Sequence, residues 1–117
     1  MHLKALAVGT LLFCGVTLAP LAADQAPRTI SITAQRFSFT PNEITVKKGE
    51  PVVLEIRSKD VTHGLLIEDL GVRQEVKKGQ NSQVTFTPSS AGTFEGKCAH
   101  FCGSGHGSMK FTVHVTE

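Results

Sequence analysis

The sequence predicts an all-β fold, an antiparallel β-sandwich with Greek-key connections, over residues 29–117. Three observations support this prediction. Short runs alternate apolar and polar residues, glycines separate those runs, and no part of this region has a sustained helical period. The turn glycines are Gly49, Gly71, Gly79 and Gly92. Short strands with regular turn signals are typical of a two-sheet sandwich.

Each strand is predicted from its own pattern. Residues 29–33 alternate as a half-buried strand should, and Phe37 and Phe39 continue that period up to the turn at Pro41 and Asn42. Further strand-like runs follow at residues 44–46, 51–56, 63–67, 84–86, 93–94 and 109–115. The last run carries its large apolar residues at every second position, which predicts that the closing strand buries one face.

The N-terminal segment predicts export. A weakly basic start with Lys4 precedes an apolar run over residues 5–18, and Pro20 and small residues follow it. We therefore expect a signal peptide at residues 1–23, cleaved after Ala23, a short leader at 24–28 and one domain at 29–117. The apolar run is short for a membrane span, which needs about 20 residues. The mature chain is thus predicted to be periplasmic, without a membrane span and without Cys14.

Composition excludes some functions and leaves a competing interpretation of the cysteines. The formal net charge is +2 at pH 7 and the charges are spread along the chain, so we predict no nucleic-acid partner. Export places Cys98 and Cys102 in an oxidising compartment, where two cysteines commonly form a disulfide. A disulfide is therefore the first alternative to a metal site.

Residues 98–109 concentrate side chains that bind soft metal ions. This loop holds two thiols, two imidazoles and a thioether, and one further histidine lies upstream between two predicted strands. Such ligands select copper over magnesium or calcium. The candidate metal ligands are His63, Cys98, His100, Cys102, His106 and Met109. A second cysteine suggests two copper ions rather than one.

Spacing weighs against several other sites but leaves one open. A disulfide does not require His63, His106 or Met109. Structural zinc sites pair their cysteines more closely and make little use of methionine, and iron–sulfur clusters use other spacings. A mononuclear blue-copper site needs one cysteine, two histidines and an axial methionine, and the chain can supply these with Cys98 unused. The glycines at positions 103, 105 and 107 are expected to let the loop curl through positive φ angles.

Residues 58–63, 93–98 and 102–109 together resemble the dinuclear copper (CuA) domain of cytochrome c oxidase subunit II, here as a soluble standalone domain. They are more distantly similar to the copper domain of nitrous oxide reductase. The resemblance covers residues 29–117 and implies a cupredoxin-like sandwich with two coppers. It implies that Cys98 and Cys102 bridge the coppers and that His63 and His106 each bind one, with Met109 and the carbonyl of His100 as weak ligands.

The chain departs from that family at two points. His100 stands where the family usually has an acid, and there is no Trp or Tyr for the aromatic stretch that receives electrons. The resemblance still implies electron transfer between a c-type cytochrome, or another small donor, and a terminal oxidase or reductase, without catalysis by this chain alone. The alternative is a periplasmic copper carrier that delivers Cu(I) to an oxidase. Asp60 is a candidate either to orient His63 or simply to form a turn.

Overall fold

The computed structural model describes residues 9–10, 12–17 and 27–117. Within these ranges the chain forms nine β-strands: β1 (Arg28–Gln35), β2 (Ser38–Thr40), β3 (Glu43–Lys47), β4 (Val52–Ser58), β5 (His63–Ile67), β6 (Val72–Val76), β7 (Asn81–Phe86), β8 (Gly92–Cys98) and β9 (Lys110–Thr116). Two short 3₁₀ turns, Glu68–Leu70 and His106–Ser108, complete the regular structure of the described residues.

The strands form two sheets. One has the order β2-β1-β4-β7 and the other the order β3-β9-β8-β5-β6. The predicted all-β sandwich is confirmed, although two pairings, β1 with β4 and β3 with β9, are parallel among otherwise antiparallel ones. Parallel pairing arises because the chain crosses to the other sheet before it returns beside the earlier strand.

The core lies between the two sheets and is built from alternate residues of the strands. Ile32, Leu54 and Ile56 of the first sheet and Leu65 and Val113 of the second are almost completely buried. The rings of Phe39 and Phe111 meet edge to face with centroids 5.8 Å apart. This packing is the physical reason for the period-two pattern in the sequence.

Phe37 and Phe39 do not continue β1 as predicted, because a turn at Arg36 and Phe37 folds β2 back antiparallel to β1. Strand β6 was not predicted at all. Only Val72 and Val76 of this strand are buried, and three polar residues lie between them. A segment with only two apolar residues, separated by three polar ones, gives a weak strand signal.

Three of the four predicted turn glycines lie in turns, since Gly49, Gly71 and Gly79 have positive φ angles of 67° to 79° there. Gly92, with a φ of 145°, is instead the first residue of β8.

Four loops meet at one end of the sandwich, which we call the site end. They are residues 36–37, 59–62, 77–80 and 99–109. Most of the predicted signal peptide and leader lies outside the described residues, and residues 12–17 have no regular secondary structure. No helix in the described ranges is long and apolar enough to cross a membrane.

Candidate metal centre

The structure brings the side chains of five of the six candidate ligands together at the site end. His63 is the first residue of β5 and Cys98 is the last residue of β8, so neighbouring strands fix these two side chains. Cys102, His106 and Met109 come from the loop that joins β8 to β9. A nitrogen of His63 and the sulfurs of Cys98 and Cys102 all lie within 4.8 Å of one another.

The candidate ligand atoms form two thiol–imidazole pairs. Cys98 Sγ lies 3.9 Å from His63 Nδ1, and Cys102 Sγ lies 3.7 Å from His106 Nδ1. The two sulfurs are 3.8 Å apart. Met109 Sδ lies 3.9 Å from Cys102 Sγ, on the side of the second pair. Each sulfur therefore has an imidazole of its own.

His100 contributes its backbone to this arrangement rather than its side chain. The carbonyl oxygen of His100 lies 3.1 Å from Cys98 Sγ, on the side of the first pair. The imidazole is exposed, and its Nδ1 is 3.1 Å from the carbonyl oxygen of Phe101. The side chain therefore points away from the thiols.

The two cysteines are free thiols in this structure. Their sulfurs are 3.8 Å apart, whereas the bond in a disulfide is about 2.05 Å long. Burial, together with the adjacent Cys98 thiol, raises the pKa of Cys102 to about 11. The metal-free thiol thus keeps its proton at neutral pH, and a bound metal has to displace that proton.

Asp60 contacts the His63 ring at Nε2, the nitrogen that does not face Cys98. Its Oδ1 lies 2.7 Å from His63 Nε2 and also accepts the N–H of Val61, while Oδ2 accepts the N–H of Arg36. Burial raises the pKa of the Asp60 carboxyl, but these hydrogen bonds outweigh burial and lower it to about 2. An ionised Asp60 fixes the proton on Nε2 and leaves the lone pair of Nδ1 facing Cys98.

Arg36 and Phe37, in the β1–β2 loop, brace residues 99–109, which we call the ligand loop, and the sequence alone did not predict this role. Arg36 Nε donates a hydrogen bond of 2.8 Å to the carbonyl oxygen of Cys102. The ring of Phe37 lies directly on Gly103 and Gly105, where an added Cβ would come within 2.9 Å and 2.5 Å of ring carbons. No local pattern shows this contact, because 66 residues separate Arg36 from Cys102.

The three glycines of the ligand loop do not all have the positive φ angles that the sequence predicted. Only Gly103 has a positive φ angle, 138°. Gly105 has an ordinary φ of −91°, and it must lack a side chain because Phe37 occupies that space. An added Cβ on Gly107 would meet nothing within 4 Å. The prediction that all three allow positive φ angles is therefore wrong for two of them.

The donor set fits copper. Two thiols, two imidazoles and a thioether are soft or borderline donors, and they point at one another in a pocket of nearly buried atoms. Sulfurs 3.8 Å apart can share an ion bound about 2.3 Å from each, the length of a zinc–thiolate bond. The side chains thus meet the requirements of a copper site without rearrangement of the fold.

A two-sheet fold with such a donor set at one end is typical of copper-binding sandwiches, and the comparisons agree. The chain belongs to the cupredoxin-like domain family, whose model matches residues 5–110. This finding confirms the predicted cupredoxin-like fold.

Among individual proteins, the chain is similar to cytochrome c oxidase subunit 2 of Thermus thermophilus, with 36% identity over 89 residues, which are 76% of this chain. The chain spans only 66% of that relative and 53% of a second subunit 2 sequence from the same species. The periplasmic domain of subunit II of cytochrome oxidase from Bradyrhizobium japonicum has the same fold. It superposes with a TM-score of 0.73 at 21% identity, covering 80% of this chain and 86% of that one. The resemblance to subunit II is thus confirmed.

Proposed function

We propose that this chain is a periplasmic electron-transfer protein with a dinuclear copper site. In this proposal Cys98 and Cys102 would hold two coppers between them, His63 and His106 would each bind one, and Met109 and the His100 carbonyl would be weaker ligands. Electrons pass between a c-type cytochrome, or a similar small donor, and a terminal oxidase or reductase. The observation that carries the proposal is the presence of two thiol–imidazole pairs whose sulfurs are 3.8 Å apart.

The protein residues hold the site in one geometry. Bound copper supplies the one-electron redox chemistry. Strand ends fix His63 and Cys98, Asp60 fixes the ring of His63, and Arg36 fixes the backbone at Cys102. A site whose ligands are already positioned undergoes little rearrangement when its charge changes. The exposed fractions of both thiols are below 5%, so water has little access to the sulfurs.

The same geometry argues against a mononuclear blue-copper site. In such a site one thiol, two imidazoles and a thioether suffice, and the second thiol has no role. Here Cys98 is buried, faces His63 Nδ1 and has the His100 carbonyl oxygen 3.1 Å away. A cysteine without a metal role does not require these neighbours.

Burial also argues against a copper carrier. A protein that hands Cu(I) to a partner needs ligands that the partner can reach. His63 and Met109 are completely buried, and Cys98 and Cys102 are 3% and 4% exposed. His106 is the most accessible side chain among the five that converge, and the others can be reached only if the loop opens.

Anaerobic copper loading of the mature domain tests the proposed function. We expect two coppers per chain, an intense purple absorption, and an electron spin resonance signal from one unpaired electron shared by two copper nuclei. Elemental analysis and the two spectra measure these properties. One copper per chain with a blue spectrum contradicts the dinuclear site. A colourless Cu(I) form that surrenders its metal to an acceptor supports the carrier instead.

Substitution of Asp60 tests how the His63 ring is held. Asp60→Ala removes the acceptor of the Nε2 proton, and we expect copper affinity to fall about 10–100-fold, as for other residues that orient a metal ligand. Asp60→Asn keeps the Oδ1 acceptor for His63 but loses the negative charge and the bond from Arg36, so we expect a smaller loss of affinity than in Asp60→Ala. Competition with a Cu(I) chelator measures both. Equal affinities in the two variants would show that Asp60 does not act through the ring.

A further inference from the structure

The loops at the site end carry excess positive charge. They hold four cationic side chains against one carboxylate, that of Asp60, which is already engaged by His63. The four cations are Arg36, Lys59, Lys77 and Lys78. The neighbouring strand ends add Arg57, Lys97 and Lys110 against Glu75, although Lys110 pairs with Glu95 at 3.5 Å. The rim of the proposed copper site is therefore cationic.

This excess is specific to one end of the sandwich. The loops at the other end, with the strand ends that adjoin them and the C-terminal residue, carry four cations against four carboxylates. They are Arg28, Lys47, Lys48 and Arg73 against Glu50, Glu68, Asp69 and Glu117. A small formal net charge of +2 thus conceals an uneven distribution between the loops at the two ends.

Three of the lysines at the site end are free to meet a partner. Lys59, Lys77 and Lys78 are exposed and form no ion pair within the part of the chain that the structure describes. Lys77 and Lys78 directly follow Val76, which pairs with the proposed ligand His63 across β5 and β6. Lys78 also forms an isolated parallel β-bridge with Ser58. The backbone of these two lysines therefore lies next to that of the proposed ligand His63.

An exposed aromatic ring lies within this cationic rim. Phe101 is 74% exposed, and within residues 27–117 it is the only large hydrophobic side chain left so open. Its ring centroid lies 5.7 Å from that of His106. Phe101 also forms the wall of a shallow depression with Arg36 and Val61. The ring thus offers a short contact path from the surface to a proposed copper ligand.

From these observations we propose that the site end docks a small redox protein whose surface is acidic around its own redox group. The proposal rests on the electron-transfer function above and names the kind of partner. Opposite charges speed the encounter and orient the partner so that its redox group meets Phe101. One electron then passes between the two centres, and no bond or proton is exchanged. A partner with a basic rim is repelled.

The same face is poorly suited to a lipid surface. A peripheral membrane anchor needs a row of apolar side chains in addition to its cations. Here one ring stands alone among charged and polar loops. Binding to an anionic membrane is therefore the competing outcome of the test below.

The chain supplies its own matched control for this test. The turns Lys47-Lys48-Gly49 and Lys77-Lys78-Gly79 have the same sequence, and the glycines have φ angles of 79° and 77°. The second turn lies at the site end and the first lies at the opposite end. The variants K77E/K78E and K47E/K48E therefore change the net charge equally at opposite ends.

Electron exchange of the reduced, copper-loaded protein with two small oxidants measures the field at the site. The probes are hexacyanoferrate(III), an anion, and tris(phenanthroline)cobalt(III), a cation, and each takes up one electron. At low ionic strength we expect K77E/K78E to slow the reaction with the anion about tenfold and to speed that with the cation, and salt to suppress both effects. We expect K47E/K48E to change either rate less than about twofold. Equal effects of the two variants would overturn the proposal.

Binding supplies a second readout that does not depend on electron transfer. We expect a c-type cytochrome with an acidic surface to shift the amide resonances of residues 77–80 and 99–103 in the full chain. This response should be lost in K77E/K78E and retained in K47E/K48E. Binding to phosphatidylglycerol vesicles without binding to the cytochrome overturns the proposal in favour of a membrane. Failure of both oxidants to take an electron contradicts the proposed function instead, and the cytochrome titration still decides the docking surface.

Discussion

Cys98→Ser is expected to reduce the bound copper from two ions per chain to at most one and to abolish the shared-electron spin signal. A serine hydroxyl is a poor substitute for a thiolate as a bridge between soft ions. Cys98 Sγ also has His63 Nδ1 and the His100 carbonyl oxygen as neighbours, so its loss dismantles one side of the site. Elemental analysis and the optical spectrum measure the change. An unaltered copper content and spectrum would show that Cys98 is not a bridge.

Comparison with Cys102→Ser separates the dinuclear site from the mononuclear one. If a single copper is held by His63, Cys102, His106 and Met109, then Cys98→Ser leaves a blue site intact and only Cys102→Ser destroys it. If two coppers share both sulfurs, each substitution removes the purple species. Both cysteines are nearly buried and serine is nearly isosteric with cysteine, so the two variants test ligation with similar disturbance of the packing. The symmetric outcome is the one that we expect.

The sequence was sufficient to identify which residues converge, because chemistry and spacing both pointed to them. The Cys98–Met109 loop is local, and a loop between two strands has few ways to point its four converging side chains at one place. His63 is distant in sequence, yet it starts a strand that pairs with β8, so the antiparallel register carries it to Cys98. The position of the His100 side chain could not be read from the sequence, because either its imidazole or its carbonyl can face a metal.

What the sequence could not predict depends on contacts between distant segments. The brace by Arg36 and Phe37 joins a turn of the first sheet to the ligand loop. A pattern in one segment does not reveal the partner of that segment in space. Strand β6 was missed for a related reason, since its two buried valines are fixed by pairing with β5 and not by a strong alternation of their own. The two parallel pairings likewise depend on the order of strands across the sheets.

Gly105→Ala is expected to destabilise the domain and disturb the copper site, even though position 105 holds no ligand atom. An added Cβ would lie 2.5 Å from Cγ of Phe37, which is the fixed end of that side chain, so the ring cannot simply turn away. Overpacking of this kind costs about 1–3 kcal/mol. A domain of this size loses about 4–8 °C in Tm for each kcal/mol. Calorimetry of the copper-loaded and metal-free forms measures the change.

Gly107→Ala is the matched control for that substitution. It lies in the same loop, an added Cβ meets nothing within 4 Å, and we expect a change within about 0.5 kcal/mol. If Phe37 braces the ligands, Gly105→Ala should also shift the copper absorption or lower the copper content, because the displaced loop carries Cys102 and His106. In the Phe37→Ala background the clash is absent, so Gly105→Ala should cost less stability there than it does with Phe37 in place. If Gly105→Ala and Gly107→Ala behave alike, then Phe37 does not hold the loop. The positions of the donor atoms are then set by the strands alone.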